Sequence, residues 1–157
     1  MTEEKNLLLQ TKYFGQVECP EERLLRFDKG LFGFEEEKMF CLLPFQGSGG
    51  SLLCFQSAAT PQLAFVAMNP FSLLPGYAPV LTAGELAELG VERSEELCFY
   101  ALCVVRSPVG ESTVNLRCPI AVNDRTGKAM QAILETGDYH MRHLLSEFGS
   151  GKGDGPC

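Results

Sequence analysis

His140 and His143 are the only histidines in the chain, and they stand three residues apart. On a helix that spacing would put two imidazoles on one face, where they could hold a metal ion. No third-ligand pattern accompanies them, so the pair reads as structural or surface. Seven cysteines, at 19, 41, 54, 98, 103, 118 and 157, are the other candidate nucleophiles or ligands. None forms a C-x-x-C pair, which argues against a zinc or dithiol redox motif. Cys41, Cys54, Cys98, Cys103 and Cys118 sit in apolar, strand-like stretches, where a free cysteine behaves as a small core hydrophobe. A Cys–His dyad would need one particular cysteine, and nothing nominates it. Glu35-Glu36-Glu37 could face a cation; by default such a run is a turn facing water. Gly30-x-x-Gly33 lacks the following helix and lysine that a phosphate-cradling loop requires.

The elements that would position these groups are mostly strands. At 157 residues, 45% of them apolar, the chain is sized for one globular domain with a self-sufficient core. The net charge is -7 and no two Lys or Arg residues are adjacent. That argues against a nucleic-acid surface, which needs clustered cations. The acidity serves solubility, or faces a basic protein partner. The longest clear apolar run, Leu97 to Val105, is far short of the roughly 20 residues of a membrane helix. The polar, acidic start Met1-Thr2-Glu3-Glu4-Lys5 is unlike a secretory signal. The expected location is the cytoplasm, with reduced thiols.

Along the chain, residues 1–5 are expected to be flexible, 6–148 to form the domain, and 149–157 to be a flexible, Gly-rich tail. Strands are expected at Asn6 to Phe14, Gln16 to Cys19, Leu24 to Phe27, Lys38 to Pro44, Leu52 to Gln56, Ala64 to Met68 and Leu97 to Val105. Within Lys38 to Pro44, Phe40 and Leu42 share one face and Met39, Cys41 and Leu43 the other. Gln46 to Ser51 reads as a hairpin loop. Prolines at 70, 75 and 79 limit the next stretch to irregular or single-turn structure. Thr82-Ala83-Gly84-Glu85 is a capping box opening a short helix that ends at Gly90. Thr113 to Cys118 and Pro119 to Val122 read as strands meeting at a proline, hence at an edge, bulge or corner. Asp124 to Gly127 turns the chain into a strand from Lys128 to Leu134. The fold class is therefore mainly β: a small antiparallel barrel or sandwich-like single domain with one or two short helices.

Two runs carry the most specific information. One is Phe27-Asp28-Lys29-Gly30-Leu31-Phe32-Gly33-Phe34-Glu35; the other is Thr113-Val114-Asn115-Leu116 with Pro119-Ile120 and Asn123. In the first, glycine's freedom at positive φ is expected to fold Phe27, Leu31, Phe32 and Phe34 inward as a plug. With Tyr13-Phe14-Gly15, Phe55-Gln56-Ser57, Pro61-x-Leu63-Ala64-Phe65, Pro70-Phe71 and Tyr139-x-x-Arg142-His143-Leu144, these runs resemble the bacterial flagellar assembly factor family FliW. The resemblance spans roughly Thr11 to Leu144. Asp28 replaces a usual proline, Asn69 a common aspartate, and Leu144 a frequent proline.

The resemblance implies a protein with no catalytic activity and no cofactor. It implies two protein partners, the translational regulator CsrA and flagellin, and neither a membrane nor direct nucleic-acid binding. Capture of CsrA would relieve repression of flagellin translation, and flagellin would compete for the factor. A -7 protein would be steered toward an RNA-binding regulator's cations. Candidate partner contacts are Asn69, Pro70 and Phe71, joined by Tyr77, and the acids Glu35, Glu36, Glu37, Glu85 and Glu88. Phe27, Gly30, Leu31, Gly33, Phe34, Asn115, Pro119 and Asn123 match the family motif and are expected to be mainly structural. The rival readings are a small-molecule-binding β-barrel and a cysteine hydrolase.

Overall fold

The computed structural model describes residues 6–45, 47, 52–135 and 137–148. The expected flexible ends at 1–5 and 149–157, and most of the Gln46 to Ser51 loop, lie outside these. Eleven strands are described: β1 Asn6–Thr11, β2 Gly15–Pro20, β3 Leu24–Phe27, β4 Met39–Pro44, β5 Leu52–Ser57, β6 Ala64–Met68, β7 Cys98–Val104, β8 Thr113–Val114, β9 Ile120–Asn123, β10 Lys128–Gln131 and β11 His143–Leu144. Two α-helices, α1 Pro70–Leu73 and α2 Ala83–Leu89, lie between β6 and β7.

Strands β7-β6-β5-β4-β3-β10-β9 follow one another, and β9 pairs back onto β7, closing a seven-stranded barrel. All pairings are antiparallel except β3 with β10, which run parallel. Those two strands lie a hundred residues apart in sequence, so no tight turn dictates their direction. The C-terminal half of β7 pairs on its β9 side with β8 instead, and β11 extends that edge. The expected long strand from Thr113 to Cys118 is thus only two residues. Asn115 ends it: its Oδ1 accepts hydrogen bonds from the backbone N–H groups of Arg117 and Cys118, an Asx turn that competes with the ladder. Pro119 then removes a ladder donor before β9 resumes. Likewise β10 stops at Gln131, after which Ala132 and Leu134 donate to Pro119 and Arg117 rather than to a strand.

The alternation in β4 sorts its side chains as expected. Phe40 and Leu42 enter the barrel interior with Leu25, Phe27, Leu31, Phe55, Ile120 and Val122. Cys41, Met39 and Leu43 face outward under the β1–β2 hairpin, with Leu9, Cys19 and Leu24. A third cluster, with Tyr77, Leu81, Leu89, Phe99, Leu116 and Leu134, fills the space beneath α2 and the 74–82 segment. The capping box of α2 forms, with Glu85 N–H donating to Thr82 Oγ1 and Thr82 N–H to Glu85 Oε1. Gly90 ends the helix at φ 76°.

The Phe27–Phe34 run only half fulfils the inward plug. Phe27 and Leu31 are buried, but Phe32 and Phe34 are 47% and 41% exposed. Gly30 and Gly33 both sit at positive φ, and the chain doubles back so that Leu31 and Phe34 bond each other. A turn that tight cannot send all four of these aromatic and aliphatic side chains the same way.

Candidate functional site

The candidate contacts on the 69–77 segment come from a local helix start. Asn69 Oδ1 accepts from Phe71 N–H at 2.9 Å, and Pro70 occupies the first helical position, where its missing N–H costs nothing. This turns the Phe71 ring outward while Pro70 is buried. Tyr77 is also buried, its hydroxyl donating to Leu116 C=O at 2.6 Å. Two of the expected contacts are therefore corrected: Pro70 and Tyr77 are supports. Tyr77 braces Phe71 edge-on at 5.6 Å, and Phe99 lies behind at 6.4 Å. Phe71, 39% exposed, is the aromatic the segment presents.

Phe71 opens onto a groove of about 820 Å³ whose walls include Val80, Leu86, Arg93, Glu95 and Phe99. A second hollow continues past Val80 to Glu135, Asp138 and Tyr139. A third, sharing Thr82 with the second, runs between the Lys29–Phe32 loop and α2, where Glu85, Glu88 and Ile133 line it. The three form one strip. Its exposed apolar residues are Phe71, Val80, Ile133 and Phe32. Its charged lining is five carboxylates, Glu95, Glu135, Asp138, Glu85 and Glu88, against two cations, Arg93 and Lys29. Sequence reasoning reached Phe71, Glu85 and Glu88. It placed Phe32 inside, and it missed Val80, Ile133, Glu95, Glu135 and Asp138, which come together only in the fold.

The acids divide by role. Glu85 is committed to its cap, and Glu88 pairs with Lys29 Nζ at 3.2 Å, tying the loop to α2. Glu35 accepts from Gly33 N–H, and Glu36 is exposed. Glu37 departs from the water-facing turn: its carboxylate accepts from Ser57 Oγ at 2.5 Å and Thr60 Oγ1 at 2.7 Å. It holds the β5–β6 turn, a structural role that the run of three acids did not announce. Replacement of Glu37 by Ala would leave the buried Ser57 hydroxyl without its acceptor. The expected cost is about 1–3 kcal/mol, read from the urea midpoint.

Asn123 is buried, with Nδ2 donating to Leu89 C=O and Oδ1 accepting from Arg125 N–H, so it joins the end of α2 to the β9–β10 turn. His143 accepts from His140 N–H at Nε2 and faces Glu147 with Nδ1 at 3.2 Å. The neutral ring therefore carries its proton on Nδ1. The Leu144 N–H, then His143, hold the Glu147 carboxyl below its ordinary range. Among the described residues no cluster of three His, Cys, Asp or Glu could hold a metal ion. Burial pushes the Cys54 thiol up to about 11 and Cys103 to about 12, and raises Cys98 and Cys118. A thiol held protonated is a poor nucleophile, which weighs against the hydrolase reading. The barrel interior is filled by phenylalanines and aliphatics, which weighs against an interior ligand.

Comparison with known proteins places this scaffold. The family model described as FliW protein matches residues 8–145. The chain belongs to the FliW family. The flagellar assembly factor FliW of Geobacillus kaustophilus is 36% identical over 137 residues, covering 87% of this chain and 94% of the relative. That of Thermotoga neapolitana is 37% identical over 136 residues, covering 85% and 89%. A crystal structure of the flagellar assembly factor FliW superposes with a TM-score of 0.81 at 33% identity, over 90% of this chain and 96% of the other. Among the described residues no helix is long and apolar enough to cross a membrane.

Proposed function

We propose that this protein is a non-enzymatic cytoplasmic partner switch in flagellar assembly. It binds the translational regulator CsrA, relieving repression of flagellin translation, and it binds flagellin, which displaces it from the regulator. Membership in the family of flagellar assembly factors supports this reading. The observation that carries the binding reading is the strip from Phe71 to Phe32, in which exposed apolar side chains are rimmed by carboxylates. Apolar anchors bury area against a partner, and the acids favour a basic one and repel RNA phosphates. Exchange then follows mass action: free flagellin sets how much factor remains to hold the regulator.

The test is a titration of the purified chain against purified CsrA, repeated with flagellin monomer present. Binding that weakens as flagellin rises supports the switch. Failure to bind either partner overturns it. The acid rim makes a separate demand on the same titration. Affinity for the regulator should fall as salt is raised, and an affinity flat with salt would reduce the acidity to a solubility device.

A further inference from the structure

The β1–β2 hairpin forms its own two-stranded sheet, with no ladder pairing to the barrel among the described strands. It rests on β3, β4 and β5. Leu9 and Cys19 pack against Leu24 and Cys41, and Lys12 N–H donates to Gln56 Oε1. At the centre of that contact two sulfurs meet. Cys41 S–H points at Cys19 Sγ at 2.7 Å, and Cys19 S–H points on to Pro20 C=O. The two cysteines stand on different sheets, 22 positions apart, and are 3% and 1% exposed.

We propose that Cys19 and Cys41 are a disulfide-forming pair, a modification site that locks the hairpin onto the barrel under oxidising conditions. The argument is positional. The sulfurs already face each other across the contact between the hairpin and the barrel. Either sulfur can react first, with the same overall balance. With hydrogen peroxide as oxidant, the Cys19 sulfur attacks a peroxide oxygen and the O–O bond breaks. The thiol proton leaves in water, and a sulfenic acid forms. The Cys41 sulfur then attacks the Cys19 sulfur, the S–O bond breaks, and a second water departs with the Cys41 proton. Two thiols are oxidised by two electrons, and one peroxide is reduced to two waters.

Burial sets the rate. It pushes the Cys41 thiol well above its usual range, so the packed pair reacts slowly. Once made, the bond closes a ring that contains β3 and the whole Asp28–Lys38 loop. Crosslinking a ring of this size restricts the unfolded chain, and the expected rise in unfolding midpoint is about 5–10 °C.

The experiment treats the full reduced chain with hydrogen peroxide, blocks remaining thiols by alkylation, and maps the tryptic peptides without reduction. The expected product joins Tyr13–Arg23 to Met39–Arg93. The second peptide also holds Cys54, so fragmentation must place the link at Cys41. The same link must form in a Cys54→Ala variant and vanish in Cys41→Ser. The wild-type map needs no variant to fold, so it decides by itself. Recovery of Cys19 and Cys41 as alkylated thiols, or a link through Cys54, overturns the proposal.

Discussion

Gly30→Ala is expected to cost about 3 kcal/mol of stability, the larger part of it from collision. Gly30 sits at φ 67°, and a Cβ there would lie 2.5 Å from the backbone oxygens of both Phe34 and Glu35. The left-handed region costs an L-residue about 1–2 kcal/mol. The contact adds an overpacking term of about 1–3 kcal/mol, because backbone carbonyls in a closed turn cannot swing aside as a flexible side chain would. Gly30 N–H also donates to Phe27 C=O, so relief by opening the turn loosens the strand end that seats Phe27 in the barrel. Gly33→Ala is the control. Gly33 has φ 85° but open space around its Cβ position, so only the conformational cost of about 1–2 kcal/mol remains. Urea unfolding of the two variants measures the difference; equal losses would mean that the close approach carries no weight.

That pair of glycines also marks the limit of what local sequence pattern reveals. The G-x-x-G spacing announces a turn, and both residues take the positive φ that glycine permits. Which neighbours face inward depends on how sharply the turn closes, and so Phe32 and Phe34 were expected inside. The alternation in β4 was readable because one face meets the interior and the other the hairpin, and each demands apolar residues. The α2 boundaries were readable because capping is local chemistry. Barrel closure was not, since β7 pairing with β9 and the parallel β3–β10 pair are contacts between distant segments. Glu37 illustrates the same limit at a single residue. In sequence it is one of three consecutive acids; in the fold it alone reaches the hydroxyls of Ser57 and Thr60. The strip from Phe71 to Phe32 draws on residues as far apart as Lys29 and Asp138, and no local pattern could have assembled it.

Val80→Arg is expected to weaken binding of CsrA or flagellin at least about 10-fold, with stability unchanged within about 0.5 kcal/mol. Val80 is 72% exposed and lines both the first and the second hollow of the strip. Its exposure is what separates the two effects. Arginine there displaces no core side chain, so the fold loses little. On the surface it replaces an apolar contact near the middle of the strip with a bulky cation, and it offsets the carboxylates of Glu95, Glu135 and Asp138 around it. Both contributions to binding, desolvated apolar area and attraction for a basic partner, fall together. Phe71→Ala would remove an anchor too, but its ring packs on Tyr77 and Phe99, so lost affinity there could reflect a shifted support. Calorimetric titration of Val80→Arg beside its thermal unfolding decides the matter. Wild-type affinity for both partners, in a variant that folds normally, would remove this strip from the interface and return the search to Glu35 and Glu36.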